Sequence, residues 1–381
     1  MNRIGQSAVA CAACGILLAC APSELAAEPA EGKDWPLFRG DPQSTGVARG
    51  QLPDQLALLW RFAVPKGAFD ATPAIAGGTV YIGDLDGEVY ALDLATGQKR
   101  WQQKTGSGFM ASPAFRDGLL YLGDVDGCFY CLDAATGAIR WKFEAEAEID
   151  SSANFFRDRV LVGSQDASLY CLDAKTGRLA WKHTIGDQIR CTPTIVAERV
   201  FLAGCDSRLH VVDLNNGQAV AQVEIGAPTG VTPAAHGDCV YFGTEGGEFL
   251  CVNWRTAKVV WTHKAEEGAQ PYRSSAAALG DQVVVGGRNK RVQALHARSG
   301  QVQWSFAARQ RVDSSPVIVG DRVFVGSSDG RVYGLSLRSG QKIWEYEAGG
   351  GFSGSPAVAD GRLVIASSDG VVYCFGAKSG S

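Results

Sequence analysis

The sequence predicts an all-β protein, an eight-bladed β-propeller of four-stranded blades. Three observations predict it. A tryptophan returns about every forty residues, a Ser/Thr-Pro-small motif returns with the same period, and tight-turn dipeptides separate the short apolar runs between them. A fixed period of this length marks a stacked-repeat architecture, because one such unit cannot bury its apolar faces alone.

The periodic tryptophans are Trp60, Trp101, Trp141, Trp181, Trp261, Trp304 and Trp344, at spacings of 41, 40, 40, 80, 43 and 40 residues. The doubled interval leaves one register vacant, at Ala221. Before Trp101 the chain reads Ala91-Leu92-Asp93-Leu94-Ala95-Thr96-Gly97-Gln98-Lys99-Arg100. Near copies run from Cys131 to Trp141 with Asp133, and from Cys171 to Trp181 with Asp173. Later copies replace the Asp by Asn253 or His296, and Thr-Gly by Asn216-Gly217, Ser299-Gly300 or Ser339-Gly340. Such dipeptides between alternating apolar runs are hairpin turns, in which Gly supplies a positive φ. They join the third strand of each unit to a Trp-bearing fourth.

The second and third strands lie upstream. Val80-Tyr81-Ile82-Gly83 leads through Asp86-Gly87 into Val89-Tyr90-Ala91-Leu92, and the phrase recurs from Tyr121 to Leu132 and from Phe324 to Leu335. The first strand follows Thr72-Pro73-Ala74, Ser112-Pro113-Ala114, Thr232-Pro233-Ala234, Ser315-Pro316-Val317 and Ser355-Pro356-Ala357, with related segments near residues 152, 193 and 275. That makes eight first strands. The last unit ends at Phe375-Gly376 without a fourth strand, whereas Leu58-Leu59-Trp60-Arg61-Phe62 is a fourth strand without a blade. Pairing the two would close the ring and cover an edge otherwise open to other chains. The propeller is therefore expected over residues 56–377.

Residues 1–20 read as a lipoprotein signal peptide. Arg3 precedes an apolar run from Ala8 to Ala19, too short to span a bilayer. Leu17-Leu18-Ala19-Cys20 resembles the bacterial lipobox, so Cys20 is the expected lipidation site. Ala21 follows it, not the Asp that retains lipoproteins in the inner membrane, which favours an outer-membrane anchor facing the periplasm. Residues 21–55 read as a tether and N-terminal extension, the first part rich in Ala, Glu and Pro. A net charge of −4 without a Lys/Arg run argues against nucleic-acid binding. Cys131, Cys171, Cys251 and Cys374 share one strand register and read as small core residues. The five histidines show no ligand spacing, and no metal site is expected.

The stretch from Ala91 to Trp101 resembles the tryptophan-docking motif of the pyrroloquinoline-quinone (PQQ) propeller superfamily, over about 320 residues of the chain. The resemblance implies that Trp60, Trp101, Trp141, Trp181, Trp261, Trp304 and Trp344 pack between blades while Asp93, Asp133 and Asp173 fix turns. It also implies looser docking of blades four and five, where Ala221 and Asn253 depart from the motif. Two functional classes share the motif. Quinoprotein dehydrogenases hold PQQ and Ca²⁺ on the axis, but they are longer and often carry adjacent disulfide-bonded cysteines. This sequence has no Cys-Cys pair and no long insertion between blades. It is also similar to the propeller lipoprotein family of the β-barrel assembly (Bam) machinery, which implies a non-enzymatic, monomeric scaffold. Such a scaffold would bind no cofactor and would meet a protein partner in the cell envelope, the barrel-inserting subunit being the candidate.

The entrance to each first strand and the loop between second and third strands should share one face beside the axis. Asp70, Asp150, Arg190, Arg273 and Asp313 stand at such entrances, with Tyr272 adjacent. The matching loops carry Asp84, Asp124 and the run Arg288-Asn289-Lys290-Arg291, which departs from the usual Asp-Gly turn. Arg190, Tyr272, Arg273, Arg288, Asp70, Asp150 and Asp313 are thus the candidate partner-binding residues. Planar guanidinium groups recognise carboxylates and anchor interfaces.

Overall fold

A computed structural model describes Met1, residues 34–264 and residues 270–378. The signal segment, Cys20 and residues 21–33 of the tether lie outside the described residues.

Eight sheets follow one another around an axis, each an antiparallel four-stranded blade, with one short parallel strand added inside blade 7. Blade 1 comprises Ala74–Ala76, Thr79–Gly83, Glu88–Asp93 and Lys99–Lys104, from the axis outward. The first strand of every blade is three residues long, and the middle two strands alternate between two buried faces. Blade 8 has three strands of its own and takes Ala57–Ala63 as its outer strand, with Trp60 opposite Cys374. The ring closes as the unmatched ends of the sequence require.

Each periodic Trp is a joint between neighbouring blades. The indole N–H donates to a main-chain carbonyl of the next blade's turn: Trp60 to Leu94, Trp101 to Ala134, Trp141 to Ala174 and Trp181 to Leu214, all within 2.9–3.2 Å. Trp261 reaches Ala297, Trp304 reaches Leu337, and Trp344 reaches Leu56 across the ring closure. Except at Trp344, the ring lies on that turn's glycine: a Cβ on Gly97 would stand 2.5 Å from Trp60, and one on Gly340 would stand 2.4 Å from Trp304. Both glycines have positive φ, so geometry and contact select the same residue. Asp93 holds its turn by accepting from Thr96 N and Oγ1 at 2.9 Å, and Asp133 and Asp173 do the same with Thr136 and Thr176.

Opposite each Trp on the neighbouring strand sits a small residue. Cys131, Cys171, Cys251 and Cys374 face Trp141, Trp181, Trp261 and Trp60, and all four cysteines are buried. At the vacant register the volumes are exchanged, with Ala221 facing Val211. The turn residue there is Ala257 rather than Gly, and Trp254 from blade 5 packs into the same cluster as Ala221 and Ala257. This tryptophan refills part of the joint that the missing one leaves.

The N-terminal extension is also built into the ring. From Trp35 to Ala48 the chain passes along the inner strands of successive blades. Trp35 exchanges both main-chain bonds with Ile75, and Pro36 O accepts from Phe115 N. Pro42, Gln43, Thr45 and Gly46 carbonyls accept from Ile195, Ala235, Ala278 and Ile318. In blade 3 the Asn154 side chain takes this role, donating to Pro42 O and accepting from Phe155 N. Val47–Ala48 then pairs parallel to Val317–Val319. Inner-strand N–H groups that would be buried without partners are satisfied by this strap. Arg39 fixes it, fully buried and donating to Ala276 O and Pro316 O. Burial pushes its guanidinium down to about 9, against the opposing pull of Asp41.

Candidate functional site

Within each blade, the hydroxyl of the Ser/Thr-Pro motif and the residue two before it face the axis together, as alternation along an extended chain requires. The hydroxyls form a belt. Thr72 N donates to Ser112 Oγ, Ser112 N to Ser152 Oγ, Thr192 N to Thr232 Oγ1 and Thr232 N to Ser275 Oγ. Ser275, Ser315 and Ser355 continue it, the last donating back to Thr72 Oγ1 at 2.9 Å. Every blade except the third is thereby tied to the next at the axis.

Above the belt opens a funnel of about 500 Å³, floored by Phe38 of the strap. Its wall carries Asp70, Asp150, Arg190, Arg273 and Asp313 at the equivalent registers of blades 1, 3, 4, 6 and 7. The five charged residues expected beside the axis therefore meet in one cavity. Arg288 stands behind the wall, with Nε and Nη2 donating to the two oxygens of Asp313 at 2.9 Å. Arg311 Nε approaches the same carboxylate at 3.3 Å. Asp313 holds the Arg288 guanidinium above its ordinary value. Arg273 pairs with Glu245 at 3.1 Å, and Ser353 donates to Asp70.

Across the funnel, Gln165 links Asp150 to Arg190. Its Nε2 donates to Asp150 Oδ2 at 2.6 Å, and its Oε1 accepts from Arg190 Nη2 at 3.3 Å. The other Asp150 oxygen is buried and lacks a hydrogen-bond partner. Burial, then the nearby Glu148, raises the Asp150 carboxyl above the usual range while Arg190 opposes them. Arg190 and Arg273 remain exposed, while the acids are half-buried.

Tyr272 departs from the expected surface position. It is buried in the register of Phe69, Phe109 and Phe352, its ring 5.5 Å from Phe249, and its hydroxyl has no partner. Burial pushes the phenol up to about 12. Although it contributes to the funnel wall, its ring is an interblade packing group. Asp84 and Asp124 are likewise not face residues. Both are buried, accepting from turn amides and from Tyr90 or Tyr130 hydroxyls. A carboxylate inside a tight turn satisfies amides that would otherwise lack acceptors.

Several site residues had no part in the sequence expectation. The hydroxyl belt was readable, since each motif carries Ser or Thr at one position. Arg311 was visible in Arg309-Gln310-Arg311, but Gln165 and Glu245 carry no periodic signal, and Phe38 reaches the funnel only through the strap.

The family model described as outer membrane protein assembly factor BamB matches residues 53–153, 127–222 and 205–381. The chain belongs to this family. A search of curated protein sequences finds no match. Among solved structures, BamB from Moraxella catarrhalis is 22% identical with a TM-score of 0.74, over 86% of this chain and 99% of that one. The quinohemoprotein alcohol dehydrogenase from Comamonas testosteroni is 15% identical with a TM-score of 0.80, over 92% of this chain and 82% of that one. The computationally designed Ika8 protein is 19% identical with a TM-score of 0.74, over 86% and 100%. These likenesses show the shared propeller fold.

The quinoprotein likeness asks whether this BamB-family funnel suits PQQ with Ca²⁺. Calcium takes six to eight oxygens, several from carboxylates. Asp313 is engaged by two arginines and Glu245 by a third, while Asp70 and Asp150 stand two blades apart. No group of three or more His, Cys, Asp or Glu side chains among the described residues could hold a metal ion. The donor set among the described residues does not fit that pair.

Proposed function

We propose that this chain is a non-enzymatic envelope lipoprotein whose funnel face docks a protein partner, as a scaffold in outer-membrane β-barrel protein assembly. The observation that carries the reading is the charged ring itself. Blades 2, 5 and 8 fill the same register with Met110, Gly230 and Ser353, so the blade does not require a charge there. Arg190 and Arg273 nevertheless stand exposed at that register, with Arg288 bracing Asp313 behind them. Exposed guanidinium groups around a concave centre are the anchors that protein interfaces favour. Membership of the BamB family supports the envelope address and makes the barrel-inserting subunit the candidate partner.

Cys20 is the proposed lipid anchor. Metabolic labelling with a palmitate analogue should mark wild type and lose that mark in Cys20→Ala; retained labelling would remove the anchor. For the face, wild type and an Arg190→Ala/Arg273→Ala/Arg288→Ala variant are compared in pull-downs from envelope extracts. The variant should lose the partner while keeping the wild-type unfolding transition. Equal recovery of every partner would remove this face from the account.

A further inference from the structure

The hairpins joining third to fourth strands lie on the face opposite the funnel, at its outer rim, because the fourth strand is outermost. Large apolar side chains are exposed mainly there. Among the described residues from 34 onward, all of them except Leu85 and Met110 lie on this opposite face. The densest run crosses blades 3 to 6, where Leu179, Val220, Val259, Val260 and Val302 stand at the starts of fourth strands, each 41–51% exposed. The fold does not require them. One residue before the Trp, blades 1 and 2 place Arg100 and Arg140, bonded to Asp93 and Asp133 at 2.7 and 2.6 Å, where blades 4 and 5 place Val220 and Val260. Outer strand edges are ordinarily blunted by charge, so a run of bare apolar residues along them marks a contact surface.

The same rim is basic. Lys175, Arg178, Lys258, Arg298 and Arg338 are exposed in or beside the hairpins of blades 3, 5, 6 and 7 and make no ion pair among the described residues. Acids of this face sit in the hairpins between first and second strands, nearer the axis. Asp117, Asp158, Glu198 and Asp238 are ion-paired there, and the unpaired Asp281, Asp321 and Asp360 stand inside the arc of cations. Trp254 opens the blade 5 hairpin, half-buried, with the Arg255 guanidinium 4.2 Å from its ring centre. The chain also enters the ring on this face: Asp34 accepts from Gly77 N at 3.2 Å, in the first hairpin of blade 1. From Cys20 to Asp34 even a fully extended chain reaches at most about 50 Å.

We propose that this rim rests on a phospholipid bilayer bearing anionic headgroups. Its cations meet the headgroups while the valines and Leu179 press into the interface, with Trp254 at the depth that amphipathic rings favour. Equal registers in successive blades lie at equal height, so contacts spread over four adjacent blades meet a plane all at once. A compact partner would instead have to follow the curve of the ring. The direction of the membrane rests on the Cys20 anchor proposed above, which brings a bilayer within reach of this face. The funnel then points away from the membrane and stays open, so lipid and protein partner can be held together.

The test places the purified full chain in vesicles of phosphatidylcholine mixed with phosphatidylglycerol. Lysines are acylated with a water-soluble reagent and located by mass spectrometry. Lys175 and Lys258 should react several-fold more slowly in wild type than in Val220→Glu/Val260→Glu, while Lys290 on the funnel face reacts equally in both. Arg298→Glu/Arg338→Glu, which leaves the apolar run intact, should also lose protection, and high salt should weaken it in wild type. Wild-type rates in both variants, or protection of Lys290 instead, would overturn the proposal. A chain whose Cys20 carries lipid but whose Lys175 is unprotected would sink the rim and keep the anchor. Protection without lipid on Cys20 would do the reverse.

Discussion

Gly340 and Ala257 occupy the same turn position in two blades, and the contrast between them explains the tryptophan repeat. Gly340 lies under Trp304, where a Cβ would meet the indole at 2.4 Å and φ is 69°. Ala257 has φ 53° but no Trp above it, because its partner register holds Ala221. Loss of the ring removed the steric demand for glycine, and Val211 replaced the small residue across the strand. Gly340→Ala should therefore cost about 2–4 kcal/mol, combining left-handed strain with a displaced indole. Ala257→Gly should be neutral or stabilising, within about 1 kcal/mol. Chemical denaturation of the two variants checks this; equal losses would refute the docking account. The periodic Trp and Gly were legible because contact between them fixes both residue types. Refilling by Trp254 was not, since it follows no period.

Asp93 gives a second residue-scale prediction. Its hydrogen bond from Arg100, then those from Thr96, hold the carboxyl down to about 2. A folded value below the unfolded one stabilises the protein above the unfolded value, about 4, and this is lost as pH falls through about 2. The stability difference between wild type and Asp93→Asn should be full near neutrality and shrink between these limits. A difference that persists unchanged at the acid end would show that the turn owes nothing to ionisation.

At the scale of elements, two N-terminal segments do different work. Ala57–Ala63 supplies the missing strand of blade 8, and its Trp-bearing pattern made this readable. The strap from Trp35 to Ala48 was not readable as structure. Its bonds run from its own main chain to inner-strand amides, so its side chains show neither a two-residue nor a helical period. The sequence expectation joined it to the tether for that reason. A chain starting at residue 34 should fold as the full chain does. One starting at residue 49 should lose cooperativity and melt lower, with the inner-strand amides of blades 1, 2, 4, 5, 6 and 7 exchanging faster with deuterium. One starting at residue 64 should also expose Val371–Gly376 as an open edge and aggregate. A residue-49 chain with wild-type exchange would remove the strap from the account.

For the whole molecule, repeat counting fixed which residues share a face, and this is why five charged side chains could be assigned to the axis from sequence. It could not tell which are paired. Arg288 clamps Asp313, Glu245 holds Arg273, and Gln165 bridges Asp150 to Arg190 through side chains that come from different loops. Tyr272 is buried because alternation turns the neighbour of Arg273 away from the axis and into the packing between blades. The outcome is a ring whose funnel wall carries a set of partly paired charges. The direct test is calorimetric titration of the purified periplasmic part of the barrel-inserting subunit into wild type and into Arg190→Ala/Arg273→Ala/Arg288→Ala. The account predicts one-to-one binding to wild type and at least about a tenfold loss in the variant. Undiminished affinity in the variant, or no binding to wild type, would contradict it.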